Sequence, residues 1–403
     1  MRLQLIHKNK MMNKRSIFLS AVFSLTIMGS AMAVNTNTAF QKLHAVKTSS
    51  AKRIFGKQKI QVALLMDTSG SMDGLIEQAK SQLWKIVNEL ATAEYQGTKP
   101  SIEIALYHYG NDGLSASNQY LKQVLPFTTD LDKVSEELFK LSTNGGSEFC
   151  GAVIEDATLN LKWSESNEDL KLVYIAGNEP FNQGAVDYKK ACQDAIKKGI
   201  IINTIYCGDE AEGVNSFWKD GAALADGEFI SINMNEATVY IETPFDTTLI
   251  RLNNELNSTY IFYGNEGGVA SINQKVQDKN AESYSTANLA DRAVAKSSTG
   301  YTNATWDLVD AAKDDKVDLK KLKKEELPEV MKDMDEGERI AYVNEKSSLR
   351  DTIKMEINSI NIQRQTFIDE KKKEMGETNS LDKALIGSVR NVAEKKNYTF
   401  NKN

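Results

Sequence analysis

The chain has 403 residues, 41% of them apolar and 26% charged, with 24 Gly, 5 Pro and a formal net charge of −6. This composition supports a buried core in two or three domains of roughly 100–200 residues each and excludes a collagenous or disordered chain. The acidic balance disfavours nucleic acid and anionic lipid as partners.

The first 33 residues carry Arg2, Lys8, Lys10, Lys14 and Arg15 but no acid, then an apolar run over 17–28, then the small residues Ser30-Ala31-Met32-Ala33. This is the three-part pattern of a secretory signal peptide, with cleavage expected after Ala33 and export to the periplasm or the outside of the cell. The run falls short of the ~18 apolar residues that a membrane span needs, so no transmembrane anchor is expected in the mature chain. Cleavage leaves 44 basic residues against 55 acidic. Residues 34–56 are polar with scattered apolar side chains and read as a linker or arm.

From residue 59 the pattern becomes regular, and an α/β domain is expected over 57–240. The run Ile60-Gln61-Val62-Ala63-Leu64-Leu65-Met66 predicts a strand buried on both faces of a parallel sheet. A helix is predicted over 75–90, with Ile76, Ala79, Leu83, Ile86, Val87 and Leu90 on one face. Strands follow at 102–107 and 120–126, helices at 131–141 and 152–161, and a buried strand at 170–176. A helix at 188–198 ends at Gly199, a strand covers 200–206, a helix 217–224 and a last strand 228–232. Strands alternating with helices predict a doubly wound, mostly parallel sheet flanked by helices, with ligands at the C-terminal strand ends.

Beyond Thr243-Pro244 the strands stop, and 244–403 is expected to be helical. A helix at 246–262 is broken by Gly264 and Gly267-Gly268, and helical patterns run through 269–298 and 305–312. A long helix over 336–375 carries Ile340, Val343, Leu349, Ile353, Ile357, Ile360 and Phe367 at helical spacing. Its expected partner is 381–393, joined through Gly376-Glu377-Thr378-Asn379-Ser380, in an antiparallel hairpin (about 336–395) that docks on the α/β domain or projects from it.

The chemistry centres on Met66-Asp67-Thr68-Ser69-Gly70-Ser71-Met72, directly after the first strand. This Asp-x-Ser-x-Ser resembles the metal-ion-dependent adhesion site (MIDAS) of von Willebrand factor A (VWA) domains. The resemblance implies a metal held by Asp67, Ser69 and Ser71 together with two further loops. In the second, Asn144-Gly145-Gly146-Ser147-Glu148, Ser147 stands where the family has Thr after a Gly-Gly pair. In the third, Ile175-Ala176-Gly177-Asn178-Glu179-Pro180-Phe181, Asn178 stands where the family has Asp, so one full charge is lost and Glu179 becomes a further candidate. Ala176 to Phe181 and Asn203-Thr204-Ile205-Tyr206-Cys207-Gly208 also resemble a subgroup of exported bacterial VWA proteins.

The resemblance implies Mg²⁺, or Mn²⁺ or Ca²⁺, with an open position for a carboxylate from a partner protein. An enzyme is not expected. A phosphatase of the haloacid-dehalogenase type needs a second Asp where Ser69 stands, and neither a Gly-Lys-Ser/Thr phosphate loop nor a Gly-x-Ser-x-Gly elbow is present. After signal removal only His44 and His108 remain, too few for a persuasive Ser–His triad; His108, at the end of the second strand, is read as a sheet-edge residue, the alternative being that it lines the site. Three cysteines allow one disulfide and one free thiol; the pairing cannot be read from sequence, Cys150–Cys207 is the pair to test first, and Cys192 is read as a buried thiol. The function expected is therefore a metal-dependent protein-binding module. The alternative is a structural assembly component with a degenerate metal site that interacts through its C-terminal helices.

Overall fold

The first strand, β1 (Lys59–Asp67), is almost wholly buried, as its unbroken apolar run requires of a strand covered on both faces. It belongs to a computed structural model that describes residues 58–233, 239–375 and 381–400. The expected signal peptide, the arm up to residue 56 and the 376–380 connection lie outside the described residues.

Chain order continues with α1 (Asp73–Ala91), β2 (Ala93–Tyr95), β3 (Ser101–Tyr109), β4 (Leu121–Thr128), α2 (Leu131–Lys140) and α3 (Cys150–Asn160). It proceeds through β5 (Leu170–Gly177), α4 (Tyr188–Lys197), β6 (Ile200–Cys207), α5 (Glu210–Asn215), α6 (Trp218–Ala223) and β7 (Phe229–Ile232). The large sheet has the order β4-β3-β1-β5-β6-β7. All its pairings are parallel except β3 with β4. Pro126 sits in β4 at the sheet edge, the place in a sheet where a residue without an N–H is tolerated. Since β1 lies between β3 and β5, the chain winds outward in both directions from it. The loops after β1 and β5 thus meet at the switch point where such sheets bind ligands.

One face of the sheet packs α3, α4 and α6 through Val153, Ile154, Ala157, Ala191, Ala195 and Trp218. The other packs Leu75, Ile76, Leu83, Trp84, Val87 and Leu90 of α1 and Val134 and Leu138 of α2. The expected helix at 75–90 and its buried face are thus present, extended by Trp84.

The remaining helices are α7 (Asp246–Asn257), α8 (Gly264–Tyr284), α9 (Thr286–Ser297), α10 (Leu308–Lys313), α11 (Glu336–Met375) and α12 (Leu381–Lys395), followed by β8 (Tyr398–Phe400). The expected helix at 246–262 ends at Asn257, and Gly264, with φ +70°, stands at the break where α8 opens, whereas Gly267 and Gly268 lie inside α8 and do not interrupt it. The expected hairpin of α11 with α12 is not what the described residues form. Ile353 and Ile357 of α11 pack with Leu249, Leu252 and Leu256 of α7 and Ala290 and Val294 of α9. Leu385, Val389, Val392 and Ala393 of α12 instead enter the sheet's own core beside α1, and β8 pairs antiparallel with β2. Helices α7 to α11 therefore leave the sheet after β7, and the chain returns to it with α12. The described residues form one compact unit.

Buried ion pairs fasten the helical layer. Arg292 of α9 bonds Asp132 of α2 at 2.8 Å and Asp278 of α8 at 2.5 Å. On α11, Arg350 binds Asp307 and Asp310, and Arg364 binds Asp246 and Asp291.

The Cys150–Cys207 bridge, the first to test, does not form: all three cysteines are free and buried. Cys150 lies in the core on the α3 face of the sheet and Cys207 in the core on the α1 face, so the sheet separates them. Burial pushes the Cys192 thiol up to about 12 and the other two higher still, so none is a ready nucleophile.

Candidate functional site at the end of the central strand

The last residue of β1, Asp67, has no exposed surface. Its Oδ1 accepts the Ser69 backbone N–H at 2.7 Å, which turns the chain sharply out of the strand. A second turn bond, Met72 N to Ser69 O at 3.1 Å, brings the loop into α1. The Ser69 and Ser71 hydroxyls lie 3.3 Å apart, and Ser71 Oγ is 3.2 Å from Asn178 Nδ2 and 3.4 Å from its Oδ1. Asp67, Ser69, Ser71 and Asn178 thus form one chain of oxygen-bearing groups across the switch point.

Neighbouring residues hold the three loops in place. Thr68 N donates to Tyr109 O at 2.8 Å, and its hydroxyl meets Tyr109 O and His108 Nδ1 at 3.1 and 3.2 Å. Asn111 Nδ2 donates to Thr68 O and Ser142 O, tying the first loop to the second. Tyr109 Oη donates to Ala176 O, and Trp218 Nε1 to Glu179 O, bracing the third loop. His108 is not a sheet-edge residue: it sits on β3, inside the sheet, and burial, aided by Lys122, lowers it to about 4.

The remaining expected residues fare differently. Ser147 is half-buried, and among the described residues no hydrogen bond joins its hydroxyl to the group. Glu179 is exposed and accepts Gln183 Nε2 at 3.0 Å; its charge is felt at Asp67 without direct contact. The residue that sequence reasoning passed over is Glu148, buried next to Ser147. Its one visible signal was an acid directly after a Gly-Gly loop. Which of two adjacent side chains turns inward depends on the loop backbone.

Gly110 makes room for the two acids. It has φ +73°, and a Cβ there would lie 2.7 Å from Asp67 Oδ1 and 2.6 Å from Glu148 Cγ. Burial, then the Glu148 charge, raises the Asp67 carboxyl to about 8. Burial also raises Glu148 to about 7, against the opposing Ser69 hydrogen bond. Asp67 Oδ2 and Glu148 Oε2 are both buried without a hydrogen-bond partner. Unpartnered carboxylate oxygens beside serine hydroxyls and an amide oxygen make an all-oxygen donor set, which suits a hard divalent cation. Among the described residues no group of three or more His, Cys, Asp or Glu side chains converges.

Residues 61–225 match the von Willebrand factor type A domain family. The architecture is the VWA fold, a mostly parallel sheet flanked by helices, here with a helical C-terminal region. VWA domains are generally non-catalytic protein-interaction modules, some with a divalent metal at a MIDAS. Solved structures similar to the chain include the SpRpn10 VWA domain, at 18% identity over 43% of this chain and 87% of that one, with a TM-score of 0.33. BatB from Bacteroides thetaiotaomicron is 16% identical over 43% of this chain and 90% of its own, also at 0.33. Proximal thread matrix protein 1 from the mussel byssus, with zinc in its MIDAS motif, is 14% identical over 45% and 43%, at 0.33. No curated protein matches the chain. No helix among the described residues is long and apolar enough to cross a membrane.

Proposed function

We propose that this chain, whose residues 61–225 form a VWA domain, is an exported, non-catalytic module that binds another protein through a divalent cation. The observation that carries the reading is the buried, unpartnered Asp67 carboxylate oxygen beside Ser69, Ser71 and Asn178 at the sheet's switch point. Asp67, Ser69 and Ser71 hold the ion, Asn178 borders it, and Ser147 and Glu179 complete the rim. The ion is Mg²⁺, with Mn²⁺ or Ca²⁺ as alternatives, because every donor is a hard oxygen. Ser71 and Glu179 are exposed, so an acidic side chain of a partner can reach an open coordination position from outside. Without the ion, the surrounding acids would repel that partner. The basic and apolar N-terminal segment ending at Ala33 supports export to the periplasm or beyond, with mature protein starting at Val34.

A second reading, a structural assembly component that works through its helices, draws on α8. There Val269 and Ile272 are 72% and 64% exposed, and Val276 stands partly exposed beside them. Titration calorimetry of the 34–403 chain with Mg²⁺, Mn²⁺ and Ca²⁺ separates the two. Saturable binding, with chelator-sensitive retention of a partner from the envelope fraction, supports the first. Chelator-insensitive retention with no cation binding supports the second.

A further inference from the structure

Asp67 and Glu148 come from different loops, are 0% and 6% exposed, and press on the same Gly110. Ser69 donates its backbone N–H to Asp67 Oδ1, so that oxygen is already engaged. Each keeps one buried oxygen without a partner, and among the described residues neither makes an ion pair. Buried charges are stable only when paired or coordinated, and two like charges this close oppose each other's ionisation. The fold nevertheless spends a positive-φ glycine on bringing them together. A cation held by both carboxylates resolves this, since it compensates both charges at once.

We infer that Glu148, rather than Ser147, is the second-loop ligand of the cation at Asp67, so that two carboxylates hold the ion before any partner arrives. The inference rests on the metal-site reading above and adds to it. The charge absent at Asn178 is restored from the opposite loop. A divalent ion held by two carboxylates is neutralised in the free protein, so its retention does not depend on a partner's acid. The partner then supplies an outer ligand to a site that is already formed.

Calorimetric titration of the 34–403 chain with Mg²⁺, Mn²⁺ and Ca²⁺, each alone, tests this on the native sequence, Glu148→Gln and Ser147→Ala. Loss of even an outer-shell partner typically weakens metal affinity roughly 10–100-fold, and Glu148→Gln should lose at least that much. Ser147→Ala, at the rim, should weaken binding far less than Glu148→Gln. Thermal unfolding gives a second readout. In chelator, Glu148→Gln should melt no lower than the native chain, because it removes an uncompensated charge while keeping shape, and added cation should no longer raise its midpoint. Native affinity in Glu148→Gln with loss in Ser147→Ala overturns the inference and leaves the metal site standing. A metal-free midpoint of Glu148→Gln below the native one makes Glu148 a structural hydrogen-bond partner and also overturns it. No binding of any of the three ions by the native chain overturns both this inference and the reading it rests on.

Discussion

The Tyr174 hydroxyl of β5 and the Ser388 hydroxyl of α12 lie 3.2 Å apart, both buried, across 214 residues of sequence. A strand in the middle of the sheet is thus covered by the last helix of the chain, after the whole helical layer has intervened. Leu385, Val389 and Val392 stand in the same core, each contributing roughly 1.5–3 kcal/mol by burial.

A chain ending before Glu336 should therefore lose the cover of one sheet face and fail to fold as a soluble domain. Size-exclusion chromatography and thermal unfolding check this, and a monomer with one cooperative transition would count against it. In the full chain, Leu385→Ala should cost about 2–5 kcal/mol in denaturant unfolding, as a buried leucine truncation does.

Arg292 bridges the α/β domain and the helical layer by pairing with Asp132 and Asp278. Arg292→Ala leaves the buried Asp132 without its cation and Asp278 with Lys296 alone, which should cost roughly 3–5 kcal/mol. Urea unfolding of the two proteins gives the difference; a loss below 1 kcal/mol would mean that the bridge is dispensable.

Acid should loosen the same region. Burial alone would raise Asp278, but Lys296 and Arg292, with donors from Asn257 and Asn253, outweigh it and hold the carboxyl well below the usual range. A folded-state value below the unfolded one adds stability that is complete above about pH 4 and is lost as pH falls through the folded value. Asp278→Asn should be less stable than the native chain at pH 7, with the gap narrowing toward pH 2. A gap that stays constant across that range would remove Asp278 from the acid response.

Substitutions at the loops should move cation affinity in opposite directions. Ser71→Ala removes an oxygen donor from an exposed loop, so binding should weaken while the unfolding midpoint in chelator stays near native. Asn178→Asp adds a charge and should tighten binding about tenfold, on the order of 1.4 kcal/mol. Calorimetry reads both, and an Asn178→Asp chain that binds no more tightly than the native one would exclude position 178 from the ion's surroundings.

What the residues determined by themselves is the alternation of buried strands and amphipathic helices from Lys59 to Ile232, and the loop at Asp67 that ends its central strand. Those features are local: a continuous apolar run, a repeating helical face and a turn-forming Ser-Gly-Ser each announce themselves within a few residues. Tertiary structure alone decided where the last helix goes and which acid faces Asp67. The apolar face of α12 fits either a partner helix or a sheet, and only the vacant place beside α1 selects the sheet. On α11 the buried face includes Arg350 and Arg364, which no apolar stripe predicts, because the compensating acids come from α7, α9, α10 and the N-cap of α10. Ser147 and Glu148 are adjacent in sequence, and the turn through Gly145 and Gly146, packed against Gly70 and Gly110, sends Glu148 toward Asp67. Such choices depend on contacts between segments distant along the chain, which local pattern does not encode.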